Sequence, residues 1–320
     1  MSKGPRISGD EKFAAAEVGV RTLYQMQYQA SLAQTAAVMA LSEEMPTDGE
    51  VEDFFMLGDV PMLEEWKDDR MMGSISGGKF RISNKDFATG IKLHKNAIAD
   101  DKLGKYRSVI GDMARRAAWF PADRIAKMLI NGFSGTAFPQ IGDGLSFDGS
   151  LFFSNNHVFD SGPAQSNLLG AVALTEANLE AAEIKLGNLT TWDGAETLGL
   201  NGTHLIVGKK LEPTALKLVG ANVIVNAAGT AAADNPFLRG RYQVLVLPQL
   251  VGTYDDYWFL ADLSKPTKPA IHMIREALQE RYLGEGSQAF FDHGVVQYGI
   301  DGRMGFGLWD WRTIVGSNQA

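Results

Sequence analysis

The chain has 320 residues, no cysteine, 30 basic and 38 acidic side chains, and a formal net charge of −8. Those counts exclude a disulfide framework, a cysteine nucleophile and a thiolate metal site, and they argue against salt-driven nucleic-acid binding, which needs clustered Lys and Arg. The length suggests about two domains, and 35 glycines, about 11% against a usual share of about 7%, predict many turns and bends rather than a helical bundle.

The opening residues run into Asp10-Glu11-Lys12, too charged for the apolar core of a signal peptide. No apolar run approaches the roughly 18 residues of a membrane span, so a soluble chain made inside the cell is expected. Residues 10–43 are rich in Ala, Gln, Met and Leu and predict one or two helices. Residues 42–53 read as a linker, with Pro46 ending the helix and Gly49 permitting a turn. Residues 54–70 read as a loop followed by a short helix.

A two-stranded pattern comes next. Residues 70–82 form its first strand, with Gly77-Gly78 as a bulge. Residues 87–98 form its second, and Ser83-Asn84-Lys85-Asp86 is the turn between them. Thirteen residues at about 3.3 Å each reach roughly 40 Å, whereas a body of this length has a radius of gyration of about 20 Å. Such a hairpin projects. A free two-stranded ribbon is marginal in water, so it needs another surface, and a neighbouring copy is the expected one.

Residues 102–131 carry Tyr106, Val109, Ile110, Met113, Ala117 and Phe120 as one apolar stripe and predict a long helix. Asp100-Asp101 lie ahead of its positive end. Pro121 is expected to break or kink it and to open a second helix ending at Asn131-Gly132. Residues 134–170 read as loops with a short strand at 151–153. Thr175 is placed to cap a helix through Leu186, with Gly187 after it. Strands are predicted at 204–207, 242–247, 257–260 and 270–274, and Pro213 opens a short helix. Residues 289–311 read as two alternating, aromatic-rich strands.

The search for chemistry returns near-misses. Gly202 to Lys209 has one residue too many for a phosphate loop, and Lys210 stands where Ser or Thr would bind magnesium. The stretch 284–289 matches a dinucleotide fingerprint in form but lacks a strand–turn–helix setting. Ser134 in Gly-Phe-Ser-Gly misses the nucleophile elbow by one position. The histidines at 94, 157, 204, 272 and 293 form no pair at ligand spacing, and His204 and His272 read as hydrogen-bonded core residues. Acidic doublets such as Glu64-Glu65 and Asp255-Asp256 read as solvated faces or helix caps, and two Asn-x-Thr matches count for nothing without secretion. No metal or cofactor is called for. The absence of a constellation favours a structural role over an enzyme.

The order of elements, with an arm, a long hairpin, a long helix, a mixed domain and a returning strand pair, resembles the Hong Kong 97-type major capsid fold of tailed phages. Particular residues resemble the Mu-like phage major head subunit family. They include Leu57-Gly58 through Pro61, Trp66 and Asp69-Arg70; Ile82-Ser83-Asn84-Lys85-Asp86-Phe87; and Ile98 through Tyr106. Further matches are Pro121-Ala122-Asp123, Gly132-Phe133, Phe147 through Phe153 with His157, and Ser166-Asn167-Leu168. In the second half Asn235-Pro236, Trp258 through Asp262, Arg275-Glu276 and Tyr298-Gly299 to Trp311 are similar too. The likeness covers roughly 54–316, and residues 1–50 depart from it.

The resemblance implies an α+β Hong Kong 97-type fold in five parts. These are a helical N-terminal arm and linker at 1–53, a loop and extended hairpin at 54–98, and a peripheral domain with its spine helix at 99–170. An axial α/β domain follows at 171–284, and 285–320 return to the peripheral sheet. It implies hexamers and pentamers of this chain forming an icosahedral head around double-stranded DNA, without enzymatic activity, cofactor or membrane. Its partners would be further copies of itself, the DNA held non-specifically, and separate scaffold, maturation protease, portal and decoration proteins. The virion would be its location, after assembly in the host cytoplasm. The start at Met1 fits a scaffold and protease encoded apart from it. Inter-subunit contact candidates are Trp66, Arg70, Phe80, Ile82, Asn84, Lys85 and Phe87. Some relatives of the fold join a hairpin lysine to a neighbour's asparagine, and Lys79 or Lys85 would serve; edge protection by a bare charge is the plainer reading. The competing functions are an encapsulin-like cellular compartment, which shares the fold, and an α/β hydrolase or nucleotide enzyme, which would need a triad or phosphate loop.

Overall fold

The computed structural model describes residues 9–57, 77–96, 106–159, 162–220, 223–225, 232–234, 239–284 and 286–319. Helix α1 (Gly9–Met39) is a single helix. Val20, Tyr24, Ser31, Thr35 and Val38 are buried at helical spacing. The Ser31 and Thr35 hydroxyls donate to the Gln27 and Leu32 carbonyls, so their burial leaves no polar atom stranded.

The linker expected at 42–53 is instead two strands. Strand β1 (Ser42–Pro46) pairs parallel with the start of β11 (Ala270–Leu283), Ser42 opposite Ala270 and Pro46 opposite Ile274. Pro46 is tolerated because β1 is a sheet edge and Pro46 its last residue. Strand β2 (Val51–Leu57) follows.

The hairpin also differs from expectation. Strand β3 (Gly77–Ser83) pairs antiparallel with β2, not with β4 (Lys85–His94). β4 pairs antiparallel with β12 (Val295–Leu308), and the main sheet has the order β1-β11-β12-β4. Residues 83–86 are therefore no hairpin turn. The chain passes through Asn84 in extended form from one sheet to another, because Asn84 finds partners on the β1–β2 connection rather than in a turn of its own.

Helix α2 (Arg107–Asn131) runs unbroken through Pro121, contrary to the expected second helix. An internal proline costs about 3 kcal/mol, and burial on both sides of it outweighs that. Ahead of Pro121, Ile110, Met113, Ala114 and Ala117 join Val20, Tyr24, Leu93, Val296, Tyr298 and Ile300 in one core between α1 and the main sheet. Beyond it, Ala122, Ile125, Ala126, Leu129 and Ile130 enter a second, larger core. Pro121 thus stands where the spine leaves one core for the other.

The second core surrounds a sheet of order β5-β13-β10-β6-β9, namely Leu168–Gly170, Ile314–Ser317, Trp258–Ala261, His204–Val207 and Gln243–Val246. The 258–261 strand is wholly buried and its neighbour at 204–207 nearly so. Helices α3 (Glu176–Gly187) and α4 (Glu212–Gly220) pack on this sheet, and β7 (Val223–Val225) pairs with β8 (Ala232–Asp234). The Thr175 hydroxyl accepts from the Asn178 N–H, the cap expected of it. The strand expected at 151–153 reduces to an isolated bridge between Leu145 and Leu151. The first alternating segment expected after 289 is instead the short helix α5 (Gln288–His293). Ser287 caps it, and Gly294 at φ 63° ends it in the left-handed region that suits glycine.

Candidate assembly surface

Side-chain alternation puts Glu52, Phe54, Phe80 and Ile82 on one face of the β2–β3 ribbon and Asp53, Arg81 and Ser83 on the other. The first face rests on the main sheet. Ile82, 3% exposed, packs with Ile271 and Met273, and the Phe54 and Phe80 rings flank Trp309 at 5.7 and 6.2 Å. Beneath them β12 carries Gly305 and Gly307. A Cβ on Gly307 would stand 2.5 Å from Ile82 Cδ1 and 2.8 Å from Phe80 Cε1, and one on Gly305 2.7 Å from Met273 Cε. Only glycine admits the ribbon this closely.

Asn84 locks the junction. Its backbone N–H donates to the Glu50 carbonyl at 2.9 Å and its Nδ2 to the Gly49 carbonyl at 2.8 Å. Asp53 accepts from Arg81 Nε at 2.8 Å on the outer face.

The candidate contact residues therefore separate. Trp66 and Arg70 lie outside the described residues, as do the doublets Glu64-Glu65 and Asp100-Asp101. Of the loop and helix expected at 54–70, residues 54–57 are instead the end of strand β2 and the rest lie outside the described residues. Phe80, Ile82 and Asn84 are engaged with their own chain at the ribbon root. Phe87 packs on Phe120 at 4.6 Å and on Phe306 at 6.4 Å. Lys85 is exposed.

Two depressions flank the root. On the α2 side a groove of about 510 Å³ is lined by Arg81, Lys85, Phe87, Arg124 and Asp143, among others. The Arg124 guanidinium lies over the Phe87 and Phe120 rings, 5.3 and 4.9 Å from their centres, a cation–π arrangement. On the β1 side a depression of about 520 Å³ is lined by Met45, Asp48, Glu52, Phe54 and Arg275. Sequence reasoning missed Arg124, which reaches the groove from a helix far from the hairpin in sequence. Its nearest signal was a cation adjoining the apolar stripe of α2.

The motif residues at 147–168 build a buried clasp. His157 Nδ1 is 2.6 Å from Asp148 Oδ2, its Nε2 is 3.2 Å from Asn167 Oδ1, and its ring stacks on Trp311 at 4.0 Å. Asn167 Nδ2 donates to the Phe152, Trp311 and Ile314 carbonyls, and Oδ1 accepts from the Ser154 N–H. His157 resembles a catalytic base in its partners, but its side chain is 0% exposed. The clasp fastens the long loops to the C-terminal segment.

The phosphate-loop near-miss is filled by the chain's own anion. Glu183 accepts from the Gly202 N–H and the Tyr242 hydroxyl and pairs with Arg241. Burial beside this carboxylate pushes the Tyr242 hydroxyl's pKa up. His204 Nδ1 lies 2.8 Å from Thr203 Oγ1, the hydrogen bond expected of it, but the residue is half-buried at the start of its strand rather than in the core. His272 is the reverse: it is 4% exposed, stacks on Phe306 at 4.8 Å, and neither ring nitrogen has a partner among the described residues. Burial pulls its pKa down to about 4. Among the described residues no cluster of three His, Asp or Glu could hold a metal, and no helix is long and apolar enough to cross a membrane.

The family model described as "Mu-like prophage major head subunit gpT" matches residues 15–173 and 249–320. The chain belongs to the Mu-like major head subunit family. The family match takes in both ribbon strands, α2, the clasp and the returning β12, and it omits 174–248, which hold α3, β6, α4 and β9. The Mu-like prophage FluMu major head subunit of Haemophilus influenzae is 22% identical over 262 residues, covering 81% of this chain and 59% of that protein. The major capsid protein of Escherichia phage Mu is 31% identical over 101 residues, 32% of this chain and 30% of its own. This chain thus matches less than two thirds of the length of either relative. The procapsid chain of bacteriophage JBD30 superposes with a TM-score of 0.54 at 19% identity, covering 96% of this family member and 76% of that chain. The capsid chain of the native GTA particle gives 0.52 at 13% identity, with 89% and 90% covered. The fold of this head subunit family member is the Hong Kong 97-type capsid fold, an α+β architecture.

Proposed function

We propose that copies of this chain associate into hexamers and pentamers and tile the icosahedral head of a Mu-like phage around double-stranded DNA. The family match carries this reading, because it runs through both the ribbon-to-helix stretch and the returning strands. Physical chemistry supports it. One face of the β2–β3 ribbon already rests on its own main sheet, but the ribbon has no third strand among the described residues, so its strand edges stay open to a neighbouring copy. Head-to-tail contacts close rings, and many modest interfaces give collective stability. A net charge of −8 suits a wall that encloses DNA without gripping it.

In this reading residues 1–53 form the arm side and 99–170, with 285–320, the peripheral domain. Residues 171–284 form the axial domain, and the projecting element is the ribbon made by β2 and β3. Scaffold, protease, portal and decoration proteins would act on the assembled wall in the host cytoplasm, and the finished head in the virion would be the chain's destination. Electron microscopy and sedimentation of the purified full chain test the proposal. Rings of five or six subunits, or closed shells, are expected. A folded chain that stays monomeric across concentration and salt would overturn it.

A further inference from the structure

The two flanks of the ribbon root carry opposite charge. In the α2-side groove Lys85 is exposed and Arg124 is propped over two rings. Neither has a carboxylate partner among the described residues, and Asp143 is the single carboxylate in the described lining. On the other flank the β1–β2 turn exposes Asp48 and Glu50, neither with a cationic partner among the described residues.

This turn is braced. The Thr47 N–H donates to the Ile274 carbonyl at 3.0 Å, the Gly49 N–H to Thr47 Oγ1 at 3.2 Å, and Asn84 holds the Gly49 and Glu50 carbonyls. Two acids are thus presented on a fixed backbone. Two cations wait in a groove whose aromatic walls exclude water from one side of Arg124. Among the described residues no ion pair joins Asp48 or Glu50 to Lys85 or Arg124.

We propose that the Asp48–Glu50 turn of one copy seats in the Lys85–Arg124 groove of the next. The inference rests on the capsid reading and gives it one specific contact. Because the two halves are different surfaces of one subunit, the contact is heterologous, and repetition generates a ring. Complementary charge fixes its polarity: a copy approaching groove to groove meets like charge, and like-charge juxtaposition is what rejects wrong partners.

Charge reversal with rescue tests it in the full chain. One variant carries Lys85→Glu with Arg124→Gln, a second Asp48→Lys with Glu50→Lys, and a third all four. Assembled mass is followed by sedimentation and light scattering at low and high salt, with melting by circular dichroism as the folding control. The first two variants should lose assembly by about tenfold at low salt, and the third should regain most of it. Lys85→Glu alone, at an exposed position on the groove rim, should lose part of it with unchanged melting. Unimpaired assembly of the first two variants would overturn the contact while leaving the capsid reading standing. So would loss without rescue in the third, which would assign the groove another occupant, such as the neighbour's segment 58–76. A wild-type chain that never associates would overturn both.

Discussion

Gly307→Ala is the sharpest probe of the ribbon's seat. The new methyl would stand 2.5 Å from Ile82 Cδ1, 2.8 Å from Phe80 Cε1 and 2.9 Å from Ile82 Cγ1. Overpacking of this kind costs about 1–3 kcal/mol. The stiffer unfolded chain returns about 0.4–1 kcal/mol, so a net loss of about 1–2 kcal/mol is expected. Ile82→Val removes the closest of those atoms and by itself costs about 0.5–1.5 kcal/mol. If the ribbon rests on β12 as described, the valine removes the tightest of the three contacts and relieves part of the clash, Phe80 Cε1 and the remaining γ carbon still standing at 2.8 and 2.9 Å. The double variant should then be more stable than the sum of the single changes by about 1 kcal/mol. Urea unfolding of the unassembled chain, read through tryptophan fluorescence, measures all four corners of the cycle. Trp309 lies between Phe54 and Phe80 and reports on the root directly. Additivity to within about 0.3 kcal/mol would show that residues 82 and 307 do not meet, and the seat would be wrong.

Other expectations follow from the buried groups. Asn167→Ala strands the Phe152, Trp311 and Ile314 carbonyls and the Ser154 N–H, and should lower stability by at least about 3 kcal/mol in urea titration; a loss under about 1 kcal/mol would show that the clasp holds little. His272 titrates near 6.5 when unfolded and near 4 when folded. The unfolded chain therefore takes up its proton first, and stability complete above about pH 6.5 should fall by about 3 kcal/mol on descending to pH 4. His272→Phe should lose that part of the acid sensitivity, and an identical acid limb in both proteins would assign it to other groups. Charge reversal across the Asp48–Glu50 turn and the Lys85–Arg124 groove, and microscopy of the assembled chain, test the association itself.

What the sequence disclosed depended on whether the signal was local. Of the α2 stripe Ile110, Met113 and Ala117 are buried, whereas Val109 is 46% exposed. The Thr175 cap and the apolar run 204–207 appeared where capping and pattern place them. Strand partnership did not. Alternation marks a strand but not its neighbour, so 77–83 and 87–94 read as partners although each pairs with a distant segment. The polar set at 83–86 mimics a turn, yet Asn84 spends its donors on residues 49 and 50. In α5 the β propensity of Phe290-Phe291 hid the Ser287 and Gly294 end signals. At the ribbon root Phe80 and Phe87 were legible as apolar, but their own body claims them. The two cations left over, Lys85 and Arg124, come from β4 and α2, a convergence that only topology creates.

The glycine seat ties the ribbon's aim to the calendar of synthesis. Residues 51–57 and 77–83 leave the ribosome long before Ile271, Met273, Gly305 and Gly307, and until β11 and β12 arrive the inner face of the root has no seat. A nascent chain can pair the two strands, but it cannot point them. Correct aim therefore requires near-complete translation, and in the proposed shell a truncated product would lack the aim needed to join a growing wall.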